Sequence, residues 1–221
     1  MKRVARAALV ALLLGSPVAV VGQELGGIDL FDATVVEPEN GYLDELAQRN
    51  FKDAYAPDVK LRVFVFPAFS ASHAVGIRET NGVFTIFGLQ RASYPSVWEL
   101  ALAAWNHRLP ELSKEIEDRL WRCEAQIDAA LANRVMRISE TMLREGLLDD
   151  AFGLDGEGYL VRMPTPTGVL QGQTWSPDRG SKSALFNDIA DTMGRFCVWY
   201  GYFYRQQLDA RVQALESEVA P

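Results

Sequence analysis

Histidine is scarce in this chain: His73 and His107 are the only two in 221 residues. A catalytic zinc site takes three protein ligands and a structural one four, drawn largely from histidine and cysteine. Only Cys123 and Cys197 could supplement the histidines, and there is no HExxH spacing, so no metal is expected. A GxSxG elbow, a GxGxxG turn and a GxxxxGK[ST] loop are all missing. Their absence removes the familiar routes to a serine nucleophile and to a cradled phosphate, and no cofactor is implied. Runs of lysine or arginine are missing too, and 22 basic against 29 acidic residues give a formal charge of −7. That field repels nucleic acid and anionic membrane surfaces. Internal repeats and low-complexity tracts are absent, so solenoids and disordered chains are set aside.

Long apolar runs are lacking as well. Ala7 to Leu14 is ended by Gly15, Ser16 and Pro17, short of the roughly 20 residues that a membrane span needs. With Lys2, Arg3 and Arg6 before it and Val20 and Gly22 after it, the segment reads as a secretion signal over residues 1–22. Its removal takes three basic residues and no acidic ones, leaving 19 basic against 29 acidic, a net −10. The expected location is periplasmic or extracellular, with no transmembrane span after cleavage. In such a compartment two cysteines suit a disulfide, and they suit equally well two buried thiols acting as small apolar residues.

Residues 23–58 read as a leader containing a short edge strand in IDLFDATVV and a weak helix over Tyr42 to Tyr55. A single α+β domain is expected over 59–221, with 23–58 packed onto it. The segment VKLRVFVFPAF from Val59 places Leu61, Val63 and Val65 on one face of a strand and Phe64 and Phe66 on the other. Apolar residues on both faces point to a strand covered on both sides, or lining a groove on one. Two further strands meet at Asn81-Gly82, a pair that tolerates the positive φ of a two-residue hairpin. Ser96 and Glu99 form a capping box for a helix to about Asn106.

From Pro110, the residues Ile116, Leu120, Cys123, Ile127, Leu131, Val135, Ile138 and Met142 step by three or four. This predicts one long amphipathic helix ending near Gly146. GLDGEG, residues 153–158, reads as a turn, followed by strands near Tyr159–Met163 and Gly168–Thr174. A last helix carries Leu185, Ile189, Met193, Cys197, Tyr200, Tyr204, Leu208, Val212 and Leu215. Both cysteines fall on helical stripes in this reading, so a bridge between two packed helices is feasible. The fold class is α+β: an antiparallel sheet built around the NG hairpin, packed by two long amphipathic helices and one or two short ones.

Candidate sites are few. Ser70, Ser72 and His73 are neighbours in sequence, but adjacent strand residues face opposite ways, so no serine–histidine pair is expected. His73 reads as a half-exposed sheet residue, and His107 as a linker residue between helices. Asp149, Asp150, Asp155 and Glu157 do not follow calcium-loop spacing and read as a solvated turn. In QGQTWSPDRGSK, Ser181 or Ser183 can cap the last helix, and Trp175, Arg179 and Lys182 are left to form an anion site at its start. Arg78 joins that site only if the sheet runs beside it. In FCVWYGYFY, residues 196–204, Trp199 and Tyr202 fall off the apolar stripe and suit partner docking. The NG hairpin of aromatic strands with a later GQTWSP segment is similar to small exported bacterial proteins, a likeness that brings no activity with it.

These features lead first to a secreted or periplasmic binding protein with a protein partner, basic if the acidic field is used. An inhibitor or immunity-type protein acting on a toxin or envelope hydrolase fits that description. The second reading is an envelope hydrolase with paired carboxylates, which no spacing in the sequence singles out. The third is a structural envelope protein that self-associates through the aromatic helix.

Overall fold

The alternation around Val59 does form a strand with two covered faces. In the computed structural model, which describes residues 34–35, 47–67, 70–91, 120–146 and 156–219, β2 (Val59–Pro67) lies at the centre of an antiparallel sheet. The other strands are β1 (Thr34–Val35), β3 (His73–Thr80), β4 (Val83–Arg91), β5 (Leu120–Ile127), β6 (Glu157–Thr165) and β7 (Gly168–Trp175), and the spatial order is β1-β7-β6-β2-β3-β4-β5. β3 and β4 pair from His73–Gln90 to Thr80–Val83, with Asn81 and Gly82 at φ 52° and 78°. The two-residue β1 sits on the outer edge of β7. The expected signal segment, the Ser96 helix with His107, and the acidic residues Asp149, Asp150 and Asp155 lie outside the described residues.

Leu61, Val63 and Val65 of β2 are buried with Val75, Ile77, Ile86 and Val161 beneath the helices. On the opposite face Phe64 and Phe66 are buried with Phe51, Phe87 and Leu160. Residues 47–50 are helical and Lys52–Tyr55 form a 3-10 turn. Together they carry Ala47, Phe51 and Ala54 onto this second face, where Tyr55 and Phe51 stack near Phe64. The sheet is therefore covered on both sides, and each fully buried aromatic or aliphatic side chain contributes about 1.5–3 kcal/mol.

The long helix expected from Pro110 to Gly146 is not one element. Leu120–Ile127 is the edge strand β5, paired with β4 over its whole length. Helix α1 begins only at Ala129, runs to Glu145, and is capped by Asp128, whose carboxylate accepts from the Leu131 amide at 2.9 Å. Leu120, Cys123 and Ile127 satisfy the helical spacing by coincidence. Trp121, Cys123, Ala125 and Ile127 also alternate with Arg122, Glu124 and Gln126, as a strand requires, and the open edge of β4 supplies the hydrogen bonds that decide it.

The final helix is also divided. α2 (Lys182–Trp199) ends at Tyr200, whose φ of 22° and ψ of 84° leave helical space, and α3 (Tyr202–Val219) starts after Gly201. Arg211 of α3 pairs with Asp188 of α2, so α3 runs back along α2 as a helical hairpin. Arg134 of α1 binds Glu216 at 2.7 Å and also pairs with Asp209, tying α3 to α1. Leu208, Val212 and Leu215 complete the core beneath these ion pairs.

Cys123 and Cys197 form a disulfide with Cα atoms 5.6 Å apart, joining β5 to α2 rather than helix to helix. Cys123 stands opposite Gly88 in the β4–β5 ladder. A Cβ at position 88 would lie 2.7 Å from the Cys123 sulfur, so glycine there makes room for the bridge. Closing a loop of 74 residues stabilises the fold by about 4 kcal/mol on chain-entropy grounds.

Candidate functional site

Where β3, β5 and β6 begin and β4 ends, α2 crosses above the sheet and leaves a cleft of about 310 Å³. Alternation places His73, Trp121 and Glu157 on the helix-facing side of their strands, in step with Val75, Cys123 and Tyr159. α2 contributes Asp191, Gly194, Arg195, Val198 and Trp199 from successive turns.

At one end of the cleft Tyr159 stands between two carboxylates. Its hydroxyl donates to Glu157 Oε2 at 2.9 Å and lies 3.4 Å from Asp191 Oδ1. One hydroxyl proton serves two acceptors, and Glu157, which is exposed, can accept from solvent as well. Burial, and then the charge of Glu157, push the Asp191 carboxyl up to about 6, while Arg195 pulls the other way. Burial and the same two negative charges hold the Tyr159 phenol far above its usual value, so it stays protonated. Burial also lowers His73 below the usual histidine value, against the opposing pull of its Ala71 hydrogen bond and of Glu157. Its imidazole is accordingly neutral at pH 7.

At the other end the walls are aromatic. Trp121 is 44% exposed and Trp199 is 69% exposed. Beyond Trp199 the tip of the α2–α3 hairpin presents Tyr200, Tyr202 and Phe203, each at least 60% exposed. Turning the chain sharply at Tyr200-Gly201 puts these rings at the end of the hairpin, where neither the sheet nor α1 covers them. A continuous helix would have spread them over several faces.

The sequence-selected residues are scattered. Trp175 packs beside Gly158 and Phe66 on the face of the sheet opposite the cleft. Arg179 is exposed, in the turn that precedes α2, and Lys182 is the first residue of that helix. Ser181 caps the helix, its hydroxyl accepting from the Ala184 amide at 3.1 Å. Arg78 lies toward the other end of the sheet, paired with Glu124 at 2.9 Å and set over the Phe87 ring. These groups do not converge on one point. Of the sequence candidates, Trp199 lines the cleft and Tyr202 is exposed on the hairpin tip.

Glu157, Tyr159, Asp191 and Trp121 were not singled out by sequence. By spacing Glu157 belongs with the solvated turn of GLDGEG, but it opens β6. Gly194 carried the available signal. A glycine inside a helix costs about 1 kcal/mol relative to alanine, and a Cβ at 194 would touch nothing within 4 Å. Packing does not require it, yet it lines the cleft.

No family model, curated protein or solved structure matches the chain. Among the described residues no helix is long and apolar enough to cross a membrane.

Proposed function

We propose that the protein is an exported binding protein that docks a basic protein partner on the aromatic tip of its helical hairpin. The observation that carries this reading is the exposure of Trp199, Tyr200, Tyr202 and Phe203, between 60% and 72%, beside an acidic cleft. Contiguous exposed aromatics mark interaction sites, and tyrosine and tryptophan dominate binding hot spots. A net charge of −7 for the whole chain makes a cationic partner the complementary one. The Cys123–Cys197 disulfide supports an oxidising compartment. Inhibition of a basic toxin or envelope hydrolase is the role that fits all of these features.

The paired carboxylates Glu157 and Asp191, one of them pushed to about 6, favour a second reading as a hydrolase acid and base. That reading ranks lower on geometry. The Tyr159 hydroxyl occupies the space between the two carboxylates that a water or a scissile bond would need.

Titration calorimetry against purified cationic wall hydrolases and toxins, with acidic proteins of similar size as controls, tests the proposal. Binding to a basic protein should weaken at least tenfold in Trp199→Ala/Tyr202→Ala, with unchanged circular dichroism. Binding untouched by that double variant would overturn the docking surface. Cell-wall hydrolysis abolished by Asp191→Asn would establish the second reading instead, and a homo-oligomer broken by the double variant would favour self-association.

A further inference from the structure

Among the described residues, no ion pair involves Glu157 or Asp191, although most other charged side chains near the helices are paired. Arg195 influences Asp191 through space without forming a salt bridge. Two acids thus share one neutral hydroxyl at one end of the cleft, Asp191 half-buried and Glu157 exposed at the rim, with the rings of Trp121 and Trp199 on its walls. The helix above is hollowed by Gly194 at an energetic cost that packing does not explain. Arg195 lines the same cleft but is exposed and pairs with neither acid, so a second positive charge on a slender stem can reach both carboxylates. Aromatic faces attract cations, and a charge-assisted hydrogen bond to a carboxylate is stronger than a neutral one.

We infer that the cleft is a receptor for one cationic side chain, a lysine ammonium or an arginine guanidinium. The chain enters past Trp121 and Trp199, and its head group binds Glu157 and Asp191. This inference rests on the docking reading and specifies what the partner must present: a protruding basic residue that anchors in the cleft while the hairpin tip covers the surface around it. His73, Tyr159 and Arg195 are the other ionisable groups facing the site, and Asp188, paired with Arg211 one turn back on α2, adds its negative charge to Asp191. Neutral His73 leaves room for the incoming charge, whereas Arg195 opposes it and must swing outward into solvent, where it is already exposed.

The probes are N-acetyl-lysine and N-acetyl-arginine methylamides, with the norleucine analogue as the uncharged match and free butylammonium as the lysine side chain without its backbone. Binding is followed at pH 7.5 by the indole resonances of Trp121 and Trp199. The cationic amides should shift both indoles, and the norleucine analogue should bind about tenfold more weakly or worse. Glu157→Gln and Asp191→Asn should each cost about tenfold, Gly194→Leu should abolish binding by filling the hollow, and Arg195→Gln should strengthen it. Affinity should fall as the pH drops from 7.5 to 5, because Asp191 takes up a proton near 6. Equal binding of the norleucine analogue, or full affinity in Asp191→Asn, would overturn the inference. The two proposals separate cleanly. If small cations bind in the cleft but no basic protein docks, the receptor stands and the docking role falls. If a protein docks through Trp199 and Tyr202 but Gly194→Leu has no effect on it, docking stands and the receptor falls.

Discussion

Helices α1 and α2 show the same stepping of apolar residues by three and four, but they treat their surplus differently. α1 buries Leu131, Val135, Ile138, Met142 and Leu143. Its outer face is charged, with Arg144 paired to Glu140 and Arg134 to Glu216. Among the described residues none of its large apolar side chains is exposed. α2 buries Phe186, Ile189, Met193, Phe196 and Cys197, then leaves Val198 and Trp199 in solvent just before the hairpin tip. Burying a large side chain is favourable by roughly 1.5–3 kcal/mol, so rings left exposed forgo stability that a different turn could have recovered. α1 is a structural helix, whereas α2 serves the core with one half and the cleft with the other.

The contrast is broken most severely from the α1 side. Leu143 is fully buried, and Leu143→Ala should lower unfolding free energy by about 3 kcal/mol in urea titration. A loss below about 1 kcal/mol would mean that α1 is not part of the core.

Asp191→Asn should act in the opposite direction. The native carboxyl titrates near 6 rather than at the ordinary 3.8, so the native state binds its proton more tightly than the unfolded chain. Stability from this group is complete below pH 4 and is lost as pH rises through 6. At pH 7.5 the asparagine variant lacks that loss and should gain about 1–2 kcal/mol, discounted for the cleft's contact with water. His73 contributes with the reverse sense, because its lowered pKa costs stability as pH falls below about 6.5. Comparing melting curves at pH 7.5 isolates Asp191, and a destabilised variant would refute a charge held at a cost.

The smallest effect belongs to the hairpin tip. Trp199→Ala should change unfolding free energy by less than about 0.5 kcal/mol, because the ring is 69% exposed. Loss of more than about 1.5 kcal/mol would show that Trp199 holds the hairpin together, and the comparison with α1 would collapse.

Local pattern made much of this fold legible. The double-faced alternation at Val59, the NG turn and the Ser181 cap each have a cause within a few residues. The stretch from Leu120 to Ile127 is ambiguous in sequence because its apolar residues fit both a helical and a strand period, and only the unpaired edge of β4 selects the strand. The break at Tyr200 was hidden because Gly201 alone, between aromatic residues, does not distinguish an interrupted helix from a continuous one. The cleft was the least visible feature. Its groups come from five elements, and the acids that form it are two of 29 in the sequence.

By itself, the sequence determined composition, charge, the class of fold and the surplus of aromatics between Phe196 and Tyr204, because these depend on residue type and short-range spacing. Tertiary structure alone decided which of those aromatics reach solvent and that Cys123 bridges a strand to a helix. It also decided that Glu157 and Asp191, 34 positions apart, share the hydroxyl of Tyr159. The physical reason is that a charge's character is set by what surrounds it. Asp191 differs from an ordinary surface aspartate chiefly through the burial and the neighbouring Glu157 carboxylate that the packed fold supplies.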